Sequence, residues 1–144
     1  MVKIAVFKWF SRSHNQPDTS ERQFECEDGS QFLICNSEVK CSETELKRGV
    51  FIQFEINNQS AKNLQLVRKV GKVDWFEKDK GFGISKLIFT HDLEISDVSI
   101  HERQFTPTFY NPEKTDLITF NIRNFRKDDG QIKRTAINLN FWLI

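Results

Sequence analysis

The stretch Gly71-Lys72-Val73-Asp74-Trp75-Phe76-Glu77-Lys78-Asp79-Lys80-Gly81-Phe82-Gly83-Ile84 decides the fold of this chain. It predicts two strands joined by a polar turn, with a Trp-Phe pair at the end of the first and a Lys-Gly-Phe-Gly run at the start of the second. The glycines beside Phe82 let another backbone approach closely. Aromatic rings next to a lysine suit the stacking of unpaired bases whose phosphates need a positive neighbour. The stretch therefore predicts a β surface for single-stranded nucleic acid.

These residues resemble the first ribonucleoprotein motif of the cold-shock domain, Gly-x-Val-Lys-Trp-Phe followed by Lys-Gly-Phe-Gly-Phe-Ile. The segment Leu87-Ile88-Phe89-Thr90-His91 resembles the second motif, Val-Phe-Val-His-Phe. The family consists of five-stranded barrels of the oligonucleotide-binding (OB) type that bind single-stranded RNA or DNA. The resemblance implies a nucleic-acid-binding platform made by Trp75, Lys80, Phe82, Phe89 and His91.

Strand alternation supports this platform, because it places Phe89 and His91 on one face of their strand, and Phe82 and Ile84 on one face of theirs. Trp75 and Phe76 are adjacent, so one should face inward and the other outward. Alternation does not decide which, and the resemblance selects Trp75 as the exposed ring.

A second group of candidate contacts surrounds the platform. Phe76 could contribute in part, and a long loop over residues 96–115 could supply aromatic and cationic contacts. The loop candidates are Arg103, Phe105, Phe109 and Tyr110. The alternative for these loop residues is a hydrophobic plug that seals the barrel or the interface between the two units. Asp74 and Ile84 depart from the family pattern, which has a lysine and an aromatic residue at those positions.

The chain also carries an internal duplication, since four blocks recur in the same order with spacers of variable length. The matching blocks are 7–10 with 73–76, 32–39 with 88–95, 51–56 with 117–122, and 61–64 with 136–139. Short alternating segments such as Ile52, Phe54 and Ile56 indicate about five strands per unit. We therefore predict an all-β fold of two small five-stranded cold-shock/OB-type barrels in tandem, covering residues 1–69 and 70–144. An open sandwich of the whole chain is the alternative.

The first unit is the weaker copy of the motif. A polar insertion over residues 11–22 interrupts it, and Gln23-Phe24-Glu25-Cys26 stands where the Lys-Gly-Phe-Gly run is expected. Lys8, Trp9 and Phe24 are its remaining candidate nucleic-acid contacts. We expect this unit to be mainly structural or to bind a protein partner.

Composition limits the other classes of function. The 144 residues carry a net charge of +1, and 38% are hydrophobic, which is typical of a globular protein. No apolar run is long enough to cross a membrane, so no membrane partner is expected. Cys26, Cys35 and Cys41 form no Cys-x-x-Cys pair, which favours reduced thiols in a cytoplasmic protein.

The sequence offers no nucleophile–base pair, no phosphate loop and no set of metal ligands, so we expect neither an enzyme nor a bound metal or cofactor. The predicted function is non-catalytic binding of single-stranded nucleic acid, more RNA than DNA, by base stacking on the second barrel. An RNA-chaperone or gene-regulatory role would follow. The alternative is a protein-interaction module that keeps the barrel but has lost its nucleic acid.

Overall fold

The computed structural model describes residues 1–11, 21–88, 97–105 and 112–141. The chain divides into two compact units, Met1–Val67 and Arg68–Ile144. Each unit is a closed five-stranded barrel, and the described residues contain no α-helix, only three one-turn 3-10 helices. The fold is therefore all-β, with closed five-stranded barrels of the OB type, as the sequence predicts.

The first barrel closes in the order β1-β2-β3-β5-β4. Its strands are β1 (Val2–Phe10), β2 (Glu21–Cys26), β3 (Gln31–Cys35), β4 (Phe51–Asn57) and β5 (Ser60–Leu66), with 3-10 turns at Asn36–Glu38 and Glu43–Glu45. All neighbouring strands are antiparallel except β3 and β5. Aromatic rings fill the core, where Phe54 packs edge-on against Phe24 and Phe32 with centroids 5.2 and 5.0 Å away.

The second barrel closes in the corresponding order, β6-β7-β8-β10-β9. Its strands are β6 (Arg68–Glu77), β7 (Phe82–Leu87), β8 (Asp97–His101), β9 (Leu117–Arg126) and β10 (Ile132–Phe141), with a 3-10 turn at Glu102–Gln104. Ile118, Phe120 and Ile122 alternate along β9 and are fully buried. Alternation in these central strands thus places the core where the sequence predicts it.

A β-bulge near the end of the first strand of each barrel sets which aromatic residue faces outward. In β6, Val73 pairs with Ser85 but Trp75 pairs with Ile84, so Asp74 is an extra residue. In a regular strand Val73 and Trp75 would face the same side. The extra residue reverses the alternation, so Val73 is buried while Trp75 faces outward. The same shift occurs in β1 around Lys8.

A second irregularity also recurs in both barrels. Asn63 in β5 and Asn138 in β10 each have φ of 54°, in the left-handed region that few residue types tolerate. Each asparagine lies where the pairing with the preceding strand shifts register. The two barrels thus share both irregularities at corresponding strands.

The third strand of the second barrel differs from the sequence prediction. The strand that pairs with β7 is Asp97–His101, whereas Leu87 ends β7 itself, opposite Gly71. Residues 88–96 lie between these two strands. Part of the predicted loop 96–115 is instead β8 and its 3-10 turn.

The order of elements also corrects the second block of the repeat, which matched residues 32–39 with 88–95. In the first barrel, β3 leads into a 3-10 turn, and Val39 then bridges to Leu64; in the second, β8 leads into a 3-10 turn, and Phe105 bridges to Leu139. The segment 31–39 therefore matches 97–105 and not 88–95.

Candidate nucleic-acid interface

Two aromatic rings stand together on the outer face of the second barrel. Trp75 and Phe82 keep 41% and 39% of their surface exposed. Their ring centroids are 5.8 Å apart and the planes meet at 74°, an edge-to-face contact. Such contacts stabilise ring pairs, so the two rings hold each other in place while presenting exposed π-faces.

The two glycines that flank Phe82 have separate structural roles. Gly81 has φ of +74° and closes the β6–β7 turn, where its N–H donates to the Glu77 carbonyl at 2.8 Å. Gly83 lies against β6, so that a Cβ there would overlap the Trp75 carbonyl oxygen and lie 2.7 Å from the Phe76 Cα. The backbone that approaches Gly83 is thus the neighbouring strand and not a ligand.

Lys80 lies in the turn beside the ring pair. Its ammonium is 3.7 Å from a Glu77 carboxylate oxygen, and both side chains are more than half exposed. Exposed ion pairs of this kind stabilise a fold by little, because water and salt screen them. A phosphate could therefore compete with Glu77 for this ammonium.

Strand β8 extends the face with residues that the sequence analysis missed. His101 pairs with Phe82, and Ser99 pairs with Ile84. The run Val98-Ser99-Ile100-His101 fits the Val-Phe-Val-His pattern with a serine in the phenylalanine position. The imidazole that faces Phe82 across the ladder is therefore that of His101, whereas Phe89 and His91 lie outside the described residues.

The His101 ring is oriented by the turn that follows it. Its Nδ1 accepts a hydrogen bond from the Arg103 backbone N–H at 3.1 Å. The neutral ring must then carry its proton on Nε2, the other ring nitrogen. An imidazole fixed in this way can donate Nε2–H to an acceptor on a ligand.

A concave pocket of about 470 Å³ connects this face to the β9–β10 hairpin. Trp75 and Phe82 line it on one side, and Phe125 and Lys133 line it on the other. Arg103 adds a second cation, and none of the described residues that line the pocket is acidic. The pocket thus combines aromatic surface with positive charge, which suits bases and phosphates together.

Several predicted contacts have different positions from those expected. Phe76 packs edge-on against Phe105, with centroids 6.0 Å apart, and Phe105 is only 1% exposed. Phe105 therefore offers no accessible face to a base and fits the alternative of a hydrophobic plug. Arg103 is exposed beside the pocket, and Phe109 and Tyr110 lie outside the described residues.

The first barrel presents a different surface at the corresponding place. Trp9 is 37% exposed, but Phe24 is completely buried, contrary to its prediction as a contact. The physical reason is strand phase. Phe24 pairs with Phe10 as Gly83 pairs with Phe76, so Phe24 occupies the inward position next to the one predicted.

Glu25 makes this first-barrel surface anionic. It pairs with Trp9 as Ile84 pairs with Trp75. Its carboxylate is 2.9 Å from the Lys8 ammonium and accepts from Gln31 at 2.6 Å. The hydrogen bond with Lys8, followed by that with Gln31, lowers the pKa of Glu25. Lys8 is thereby engaged with a carboxylate that would repel phosphate.

Comparisons with known proteins give a structural likeness. No family model matches the chain, and no curated protein matches it. Among solved structures, the chain is similar to one described as drosophila Unr CSD456, with a TM-score of 0.40 and 14% identity. The similarity covers 99% of this chain but 62% of that one, so the chain spans less than two thirds of the solved structure.

The described residues contain no group of three or more His, Cys, Asp or Glu side chains placed to hold a metal ion. Within the same residues, no helix has the length and apolar character needed to cross a membrane.

Proposed function

We propose that the second barrel binds single-stranded nucleic acid, RNA more than DNA, by stacking bases on its outer face. The exposed Trp75–Phe82 pair carries this proposal, since the two rings are in edge-to-face contact on a strand surface and nothing in the described part of the chain covers their remaining exposed area. The cold-shock motif residues and the cation-lined pocket support it. The neighbouring solved structure agrees only in its barrel type.

The proposed mechanism is passive. One base stacks on Trp75 or Phe82, and His101 can donate to a base edge or phosphate through Nε2. Lys80 and Arg103 hold the backbone. Each stacked base is worth about 1–3 kcal/mol, so a few such contacts give micromolar binding without a strongly basic protein. Such binding would keep RNA single-stranded, as an RNA chaperone or a regulator of gene expression does.

The first barrel favours the second candidate function, binding of a protein partner. Its Trp9 is exposed, yet Glu25 lies where the second barrel has Ile84, and Gln23 lies where it has Phe82. We propose that this face contacts a protein and contributes little to nucleic-acid binding. Trp9→Ala should then leave affinity for single strands unchanged within about twofold.

Titration of a fluorescently labelled oligo-uridine with the full chain tests the main proposal. Phe82→Ala should weaken binding about 5- to 150-fold, the equivalent of one lost stack. Leu33→Ala is a matched control, because Leu33 is an equally exposed apolar residue on the first barrel. The proposal is wrong if wild type does not bind at micromolar protein in low salt, or if Phe82→Ala and Leu33→Ala have the same affinity.

A further inference from the structure

A second exposed ring faces the pocket from the side opposite to Trp75 and Phe82. Phe125, near the end of β9, keeps 41% of its surface exposed and lines the pocket together with Lys133. The two residues are direct partners in the β9–β10 ladder. An exposed phenyl beside an ammonium repeats the chemistry of Phe82 and Lys80 at another place on the same barrel.

The Phe125 ring is also held by a cation. The Arg123 guanidinium lies over it, 4.5 Å from the ring centroid. Arg123 is two residues away on the same strand and therefore on the same outer face. A guanidinium on one side fixes the ring and leaves its exposed area for a second planar group.

Strand order gives the distance between the two ring positions. From Phe82 on β7 the face continues through His101 and Ser99 on β8 to Thr135 on β10, and then to β9. Phe82 is level with His101, whereas the register of β10 with β8 places Lys133 and its partner Phe125 four residues away along the strands. Three strand spacings of about 4.8 Å and four residues of about 3.3 Å therefore separate the two positions by roughly 19 Å along the sheet. Rings stack at centroid distances of about 4.5–7 Å, so one base cannot stack on both Phe82 and Phe125.

We propose that Phe125 is a second stacking position for the same bound strand, which runs from the Trp75–Phe82 pair across β8 and β10 to the β9–β10 hairpin. Lys133 and Arg103 neutralise phosphates along this path. Between the two ring positions the pocket is lined by the short side chains of Ser99 and Thr135, which leave room for the strand. This inference rests on the proposed function and extends it to a longer strand. The ligand is single-stranded nucleic acid of more than about four nucleotides.

Oligonucleotide length separates the two positions. We would measure the affinity of labelled oligo-uridines of about three and about nine nucleotides for wild type, Phe82→Ala and Phe125→Ala. Phe125→Ala should weaken the long strand about 5- to 150-fold and leave the short strand within twofold. Ile132→Ala is the control, because Ile132 is exposed on the same hairpin but does not line the pocket.

A measurement of salt dependence gives an independent check. Lys133→Ala should reduce the slope of log K against log salt by about 0.7 for the long strand only. Phe125 is a surface residue, and thermal unfolding of each variant confirms that the barrel is intact.

The two proposals fail in different ways. If Phe82→Ala weakens both strands but Phe125→Ala weakens neither, the second stacking position is wrong and the proposed function stands. If Phe125→Ala weakens short and long strands equally, a path with two positions is also wrong. If Phe82→Ala has no effect on either strand, or none binds, the proposed function itself fails.

Discussion

Gly83 lies so close to the backbone of Trp75 that a side chain at position 83 would overlap the Trp75 carbonyl oxygen. Gly83→Ala should therefore force β6 and β7 apart and destabilise the second barrel by about 1–3 kcal/mol. It should also weaken binding, because Trp75 lies in the part of β6 that the new side chain would displace. Chemical denaturation and oligo-uridine titration measure the two effects.

Gly130→Asn is a suitable control for that substitution. Gly130 has φ of +87° and open space where its Cβ would be, and asparagine tolerates the left-handed region. We expect a change in unfolding free energy below about 0.5 kcal/mol. Equal stability of Gly83→Ala and Gly130→Asn would show that β6 and β7 are not in this close contact.

Lys80→Ala should affect binding without affecting stability. Its ion pair with Glu77 is exposed, so its loss should change the unfolding free energy by less than about 0.5 kcal/mol. The slope of log K against log salt should fall by about 0.7, the loss of one phosphate contact on a single strand. Lys62→Ala, on the first barrel, should leave the slope unchanged. An unaltered slope for Lys80→Ala would place the phosphate elsewhere.

Asn138 combines a left-handed backbone with a side-chain hydrogen bond. Its Nδ2 donates to Asn121 Oδ1 at 3.0 Å. Asn138→Gly should lose only the hydrogen bond, about 1 kcal/mol, whereas Asn138→Ala should also bear about 1–2 kcal/mol of backbone strain. Denaturation curves of the two variants should therefore differ in midpoint. A glycine variant less stable than the alanine variant would contradict this account.

The thiols of Cys26 and Cys41 should resist alkylation in the folded protein. Burial raises the pKa of both, that of Cys41 to about 11 from an ordinary 9.0, with Glu45 adding to the effect there. The thiolate is the reactive form, and at pH 8 Cys41 would have about one thousandth of its thiol ionised. Mass spectrometry after a timed iodoacetamide pulse should show slow labelling, accelerated in guanidinium. Equal rates in both conditions would contradict it.

The lowered pKa of Glu25 predicts a pH-dependent stability of the first barrel. Because the folded pKa lies below the ordinary 4.5, the stabilisation is fully present above that value and is lost as the pH falls through the folded pKa. Glu25→Gln should therefore lose less stability than wild type between about pH 5 and 3. Lys8→Met removes the largest cause, so an NMR titration should show the Glu25 pKa rising. An unchanged pKa would exclude the Lys8 contact.

The sequence predicted the barrel class because alternation and turn residues agree over most strands. Ile118, Phe120 and Ile122 face inward as expected, and the outward position of Trp75 follows the motif. These features follow from the local pattern of apolar and polar residues, which can be read from the sequence alone. The bulge at Asp74 was not predictable from alternation, because it breaks the period of two.

The site was predicted less completely than the fold. Phe89 with His91 fits the second motif better than Ser99 with His101, and because both lie outside the described residues their contact with nucleic acid stays a prediction. Ser99 and His101 were missed because their place beside Phe82 depends on pairing with β7 rather than on local sequence. Phe125 was missed because a phenylalanine between polar strand residues gives no sign of a pocket that β10 completes.

The extra residue in the first strand of each barrel determines which of the two adjacent aromatic side chains faces outward and which faces the core. Removing Asp74 would leave every side chain of the Trp-Phe pair unchanged and still exchange their surroundings, with the indole moved toward the core and the phenyl toward solvent. Position 74 should therefore accept many different amino acids but no deletion. A scan of substitutions would therefore class position 74 as unimportant, whereas deletion of Asp74 would remove the exposed indole from the outer face and abolish binding there.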